Sequence, residues 1–434
     1  LERAASADQG LIAAGGLARN GARLAQKLLV WLMVEGLRRV CALPVRKIAS
    51  LAALGLAFPL LSPARAQELA PPSWPVGNAE LRLAAEASGA LFNPDQPGWD
   101  GVQASGALRL MPELRHDYDS GLSLGMGSTF TAADPLSRGR YDGDVIERLA
   151  ATARTGLGKI EIGLTDGAGY GLAVTGPKVD AGVSLDDPRT SFFRDSSSHR
   201  AVTDMFALRT EVGASSNYAK FVYSSPALFG VQLALSFTPS EGKQLPFLNA
   251  GPHVLGRQAD IWEAALRYET DLGPVSLSAY GAVAEGRAEH KLPGQEGVSD
   301  LGAGVKADYP VNDDIAVSLG GSYRQSNAHG FDVNQAWQAG TTRAGHLSAA
   351  ITDSAWTAGA EYGNGVADAV PGLPRLGLSG LEASLGYKVS DSIAVSTGWQ
   401  HLSYTRNTGV FFNGAPQLKL DAVYMHLNLH TSEQ

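Results

Sequence analysis

Along most of the chain the apolar positions recur at every second residue. In "AELRLAAEAS" (79–88), Leu81, Leu83, Ala85 and Ala87 share one face and Glu80, Arg82 and Glu86 the other. "VQLALSF" (231–237) sets Val231, Leu233, Leu235 and Phe237 against Gln232, Ala234 and Ser236. "IAVSLGGSYR" (315–324) and "LEASLGYKV" (381–389) repeat the pattern. Successive side chains of a strand point to opposite faces, so this period predicts strands with one apolar and one polar or small face. The polar faces carry Gly, Ser, Thr and Ala with scattered Arg, Glu and Lys. The apolar faces are a modest mix of Leu, Val, Ala, Tyr and Trp. A soluble sandwich needs large side chains to fill a shared core. Strands with lipid on one face and water on the other do not.

Sixteen strands are predicted, at 79–90, 102–116, 121–132, 144–155, 158–166, 217–225, 229–238, 259–270, 273–285, 299–309, 314–325, 345–352, 355–363, 380–389, 392–405 and 417–430. The connections between them alternate in length. Short ones such as "DYDS" (117–120), "PAL" (226–228), "PVNDD" (310–314) and "SD" (390–391) are rich in hairpin-turn residues. Long ones cover 133–143, 167–216, 239–258, 286–298, 326–344, 364–379 and 406–416. Strict alternation with an even strand number is the form of a transmembrane antiparallel up-and-down β-barrel, with short turns and both chain ends on the periplasmic side. Tyr223, Phe237, Trp262, Tyr268, Tyr309, Tyr323, Trp356, Tyr362, Tyr387 and Trp399 fall near strand ends, as interfacial girdles require.

Composition agrees. The 434 residues are 44% hydrophobic with 51 glycines, and the mean hydropathy of -0.06 leaves no room for a bundle of apolar membrane helices. Residues 46–66, "RKIASLAALGLAFPLLSPARA", have the charged start, apolar middle and A-x-A end of a secretory signal. Met33 is a candidate true start, so 1–66 is read as an extension plus a cleaved signal and 67–434 as one barrel domain. The 1–66 stretch holds 9 of the 35 basic and 3 of the 43 acidic residues, so 67–434 keeps 26 and 40, a net charge of -14. That balance excludes a nucleic-acid partner and suggests a slight preference for cations. The single cysteine, Cys41, falls in the removed part, so no disulfide framework is expected.

Two hairpins carry a family resemblance. "NYAKFVYSSPALFGVQLALSFTPSEG" (217–242) and "GLGKIEIGLTDGA" (156–168) resemble segments of bacterial general porins, closest to the alphaproteobacterial type. The likeness runs from about residue 79 to the end, with the rest of it pattern alone. It implies a homotrimer of 16-stranded barrels in outer-membrane lipid. The third long loop of each folds inward and narrows a water-filled channel for small hydrophilic solutes. The longest connection here, 167–216, occupies that place. Family chains usually end in an aromatic residue; this one ends "VYMHLNLHTSEQ", with Leu429 or His430 in that role.

In such channels basic wall residues face acidic residues of the inward loop. Alternation turns Arg82 and Arg109 into the lumen seven or eight residues below the first long loop, which makes them candidate neighbours, and Arg148 shares that parity. Asp180, Asp186 and Asp187 are the loop candidates, while Glu113 and Arg115 read as rim residues. No catalytic group, metal or cofactor is expected. His426 and His430 lie about 13 Å apart on a strand, too far for one ion. "GAGYG" (167–171) is not GxGxxG and is not expected to open a helix, and "GLGK" (156–159) lacks the rest of a phosphate loop. Three functions fit: passive diffusion, a substrate-selective channel, and a non-conducting structural or adhesive barrel.

Overall fold

The computed structural model describes residues 70–95, 101–133, 146–186, 208–215, 218–241, 258–289, 296–327, 341–367, 376–405 and 417–431. The expected extension and signal, 1–66, lie outside them, as does Asp187. The strands are β1 (Ser73–Val76), β2 (Ala79–Asp95), β3 (Gln103–Asp117), β4 (Ser123–Ala133), β5 (Ile146–Thr155), β6 (Gly158–Leu164), β7 (Ala219–Ser224), β8 (Val231–Ser240) and β9 (Gln258–Leu272). They continue as β10 (Val275–Ala288), β11 (Ser299–Pro310), β12 (Ile315–Ser326), β13 (Thr342–Asp353), β14 (Trp356–Ala367), β15 (Leu376–Ser390), β16 (Ile393–Thr405) and β17 (Gln417–His430). A single helical turn, α1 (Ala168–Gly171), sits between β6 and β7.

Sequential strands pair antiparallel, and β17 closes on β2, from Asp421 opposite Asp95 to His430 opposite Glu86. Strands β2 to β17 therefore form the expected sixteen-stranded barrel. A ring of this size leaves an aqueous interior that wall side chains cannot fill. Strand β1 was not anticipated. It folds back on β2, Ser73 opposite Arg82 and Val76 opposite Ala79. Its ladder takes over where β17 stops: Thr431 N–H donates to the Ala85 carbonyl and Leu83 N–H to that of Pro72. Four residues containing Pro75, next to a Gly77–Asn78 turn, give too short a period to read.

The faces sort as the alternation requires. In β8, Leu233 and Leu235 are half exposed on the outside, at 50% and 53%, while Ala234 and Ser236 are buried at 2% inside. The large apolar groups are the exposed ones because their solvent is lipid. Aromatic pairs mark both ends of the wall: the rings of Phe237 and Trp262 meet at a tilt 4.5 Å apart towards the long loops, and those of Trp356 and Tyr387 4.5 Å apart towards the short turns. The β7–β8 turn is a two-residue hairpin at Phe229 and Gly230, both with positive φ (51° and 79°). Leu228 and Val231 exchange both backbone hydrogen bonds across it. Both central residues at positive φ define a turn whose twist matches the strands.

Leu235→Arg is expected to destabilise the barrel by about 2–4 kcal/mol, as a cation in mid-bilayer does, whereas Thr152→Arg on the inner face of β5 is tolerated. Reversible urea unfolding in lipid vesicles measures both. Equal costs would contradict the assignment of faces.

Candidate functional site

The barrel interior is divided by the connection between β6 and β7, the third long loop, whose described parts are 165–186 and 208–215. It runs along the inside of β9 to β17. The wall there is paved with glycine so that loop backbone can approach. A Cβ at Gly304 would stand 1.9 Å from the Val174 carbonyl, and one at Gly359 2.6 Å from Val179. Gly363 and Gly380 make room for Leu208 in the same way, at 2.9 and 3.1 Å. Apolar loop side chains fill what the glycines leave open. Val183, Leu185 and Leu208 pack with Phe92, Leu378, Leu402, Leu420 and Tyr424. Leu172, Val174 and Val212 pack with Ile261, Ala282 and Ala284.

Polar contacts fix the path. Asp180 accepts hydrogen bonds from His426 Nδ1 (2.7 Å), Ser396 Oγ (2.5 Å) and Gly182 N–H (2.9 Å). Ser184 Oγ donates to Glu361 Oε2 (2.6 Å), which also meets His346 Nε2 at 3.1 Å. Gln400 Nε2 donates to the Val183 carbonyl (2.5 Å) and to Glu382 (2.8 Å), and the Tyr424 hydroxyl donates to Glu382 (2.5 Å). Lys178 pairs with Asp186 at 2.6 Å. Burial alone would raise the Asp180 carboxyl. The bonds from His426, Ser396 and Gly182 overcome it and hold the group below the usual carboxylate range. For Lys178, burial pulls the ammonium down, but Asp186 and Glu211 outweigh it and hold it above its ordinary value.

The opposite wall, β2 to β6, carries side-by-side ion pairs. Arg109 reaches Glu86 at 2.9 Å and Glu147 at 3.1 Å. Glu161 is held by Arg148 and by Lys159, the latter at 2.7 Å. Arg82 pairs with Glu80 at 3.3 Å. A register shift between Thr129 and Phe130 is what lets Glu147 and Arg148, consecutive in β5, both reach inner-face partners. The expected arginines thus share one wall. Arg82 and Arg109 are not neighbours, however. The register sets Glu113 opposite Arg82 and Glu86 opposite Arg109. Strand β2 runs on to Asp95 rather than ending at 90, and this moves the frame.

The expected loop acids do not lean towards the arginines. Asp186 is buried at 2% on Lys178, and Asp180 is turned to β16 and β17. The wall acids Glu86, Glu147 and Glu161, and the loop anchors His426, Glu361 and Glu382, were missed. Their common signature is a charged or polar group on the inner parity of a strand with apolar neighbours, as in "KIEIG" (159–163) and "LEASLG" (381–386). "GAGYG" does form a helical turn, contrary to expectation, but Ser236 Oγ accepts from Ala168 N–H at 3.0 Å and Glu263 from Gly169 N–H at 3.0 Å. Those first N–H groups are the ones a phosphate would need. Asp180, His426 and Ser396 are not a hydrolytic triad. The imidazole and the hydroxyl both donate to the same carboxylate oxygen, so the hydroxyl is not on the ring's other nitrogen. Among the described residues, no group of His, Cys, Asp and Glu could hold a metal.

A closed barrel, apolar outside, charged inside and narrowed by an inward loop, is a membrane channel. The Gram-negative porin family matches residues 52–409, and the chain belongs to it. It is an outer-membrane porin of a Gram-negative bacterium. Solved structures share the fold at low identity. OmpF of Salmonella typhi, in complex with daunomycin, is 12% identical with a TM-score of 0.54, over 82% of this chain and 100% of that one. The outer-membrane channel DcaP of Acinetobacter baumannii is 13% identical with a TM-score of 0.51, over 83% and 100%. The trimer form of OmpT of Vibrio cholerae is 12% identical with a TM-score of 0.50, over 81% and 99%. No curated protein matches the chain.

The depressed Asp180 carboxyl sets the sign of a pH effect. Its hold on the loop is full above the usual carboxylate range and is lost as pH falls through its lowered value. Acidification from neutral pH should therefore lower the voltage at which the channel closes. Asp180→Asn, which weakens the bonds to His426 and Ser396 at a cost of about 1–3 kcal/mol, should close at low voltage already at neutral pH and respond less to acid. A closing voltage with the same acid dependence in both proteins would count against this anchor.

Proposed function

We propose that this porin is a passive, weakly selective channel for ions and small hydrophilic solutes, working as a homotrimer and carrying out no covalent chemistry. One observation carries the reading. Inner-face groups under the loop are sealed, with His346, Glu361 and Glu382 each 1% exposed. The side chains of Arg82 and Arg148 on the other wall remain open to water at 39% and 44%. A wet passage therefore runs along β2 to β6, and Arg82, Arg109 and Arg148 with their acidic partners form its charged lining. Asp180 and Asp186 shape the passage from behind by holding the loop back.

Paired charges about 3 Å apart present dipoles rather than a field across the lumen, and salt screens what remains. Glu86, Glu147 and Glu161 balance Arg109, Arg148 and Lys159 in number. Selectivity from this lining is accordingly small, and the net acidity of the chain gives it a slight cation bias.

The outer wall supports the homotrimer. The outward positions of β7 to β15 include the exposed aromatic groups Phe221, Trp262, Tyr309, Tyr323 and Tyr362. On β2, β3 and β5 they include Ala85, Ala87, Gly89, Ala104, Gly106, Ala151 and Ala153. On the outward side of β16 and β17, Asp421 accepts from the Trp399 indole at 3.0 Å and meets His401 Nδ1 at 3.0 Å. A carboxylate facing lipid is costly. Small side chains and this polar group suit contact with another copy.

Purified protein in planar bilayers should give ohmic steps in groups of three, with a small reversal potential in asymmetric KCl. Arg109→Glu, which leaves three carboxylates together, should shift the reversal clearly towards cations. A folded sample without conductance would sink the channel reading and favour a structural or adhesive barrel. Current block by one solute at low concentration would replace passive diffusion with a substrate-selective channel.

A further inference from the structure

The inward loop leaves and re-enters the wall at one place, and two buried opposite charges meet both of its legs there. Lys220 on β7 donates to the carbonyl of Thr165 on the outgoing leg, at 2.5 Å, and to that of Ser215 on the returning leg. Glu263 on β9 accepts from the N–H of Gly169 on the outgoing leg, at 3.0 Å. It also accepts from the N–H of Ser215 at 3.2 Å and from the Ser215 hydroxyl at 2.5 Å on the returning leg. Lys220 and Glu263 are each 2% exposed. The legs also touch each other directly, since a Cβ at Gly169 would lie 2.7 Å from Val212. Gly167 leaves the Glu263 carboxylate its place, since a Cβ there would stand 2.0 Å from Glu263 Oε2.

We propose that Lys220 and Glu263 are positioning residues that clamp the two legs of the inward loop, so that the loop is a closed ring fixed at its root rather than a flap hinged there. The proposal rests on the channel reading for its functional consequence and on the hydrogen bonds alone for its structural one. Each charge binds main-chain groups of both legs, so neither leg can move without stripping a buried charge of its partners. Buried ionic groups left unpartnered are strongly disfavoured. The clamp then fixes the root of the loop, and the distal anchors at Asp180 and Glu361 hold the rest of it back from the passage.

The test reads loop position directly. In the full chain with Cys41→Ser, cysteines replacing Gly171 on the loop and Leu347 on the outer face of β13 are spin-labelled. A Cβ at Gly171 meets nothing within 4 Å and Leu347 is half exposed, so both sites accept a label. Pulsed electron paramagnetic resonance should give one narrow distance distribution. Lys220→Met and Glu263→Gln should each broaden it at least about twofold while the barrel stays folded by far-ultraviolet circular dichroism. Ser215→Ala, which removes only a hydroxyl, should broaden it less and serves as the measured variant if Glu263→Gln does not fold. In bilayers each channel of the same variants should flicker among several conductance levels where each channel of the parent holds one. Distributions as narrow as the parent's in the charge variants, or in Ser215→Ala where it stands in for them, would overturn the clamp even with a conducting parent. A parent that does not conduct would count against the channel, while the distance widths would still decide the clamp.

Discussion

Everything in this chain follows from the fact that a backbone amide has no partner in hydrocarbon. Each unsatisfied N–H or C=O in the bilayer costs several kcal/mol, so a sheet that spans it must have no edge. The pairing of β17 with β2 meets that demand for β2 to β17. β1 meets it once more at the periplasmic end, covering the part of β2 that β17 does not reach. Closure with sixteen strands then makes a wet interior unavoidable, and the wet interior admits the charges that line it.

The same constraint acts again inside. The inward loop carries main-chain groups that cannot join the wall ladder, and it lies against that wall rather than in open water. Wall side chains serve them instead: Glu263 and Ser236 at the root, Tyr280 beside Val212, Glu361 and Gln400 farther along. Acids and amides on the inner face of β9, β14 and β16 are thus the sheet's substitute for an additional strand. Their burial leaves the solvated part of the lumen to the other half of the barrel, where each arginine already has a carboxylate beside it.

The barrel was legible in the sequence because period two survives along most of its strands, as in Leu233 and Leu235 against Ala234 and Ser236. The register was not. Nothing in "AELRLAAEAS" shows that β2 continues to Asp95, so the sequence alone places Arg82 beside Arg109, where Glu86 stands. The loop path was written in glycines such as Gly304 and Gly359, but a strand glycine alone does not say what presses on it. The expectation that Asp180 and Asp186 face the arginines came from resemblance. It failed because Lys178 and His426 take those carboxylates for themselves.

The central claim is a lumen divided into a sealed half and a wet half. Single cysteines at Thr152 on β5 and at Ser348 on β13, both on the inner face, distinguish the two through their reaction with a charged, membrane-impermeant maleimide in the folded protein. The cysteine at 152 should react at close to the rate of a free thiol and the one at 348 only on unfolding. Equal reactivity at the two positions, whether both fast or both protected, would contradict the division.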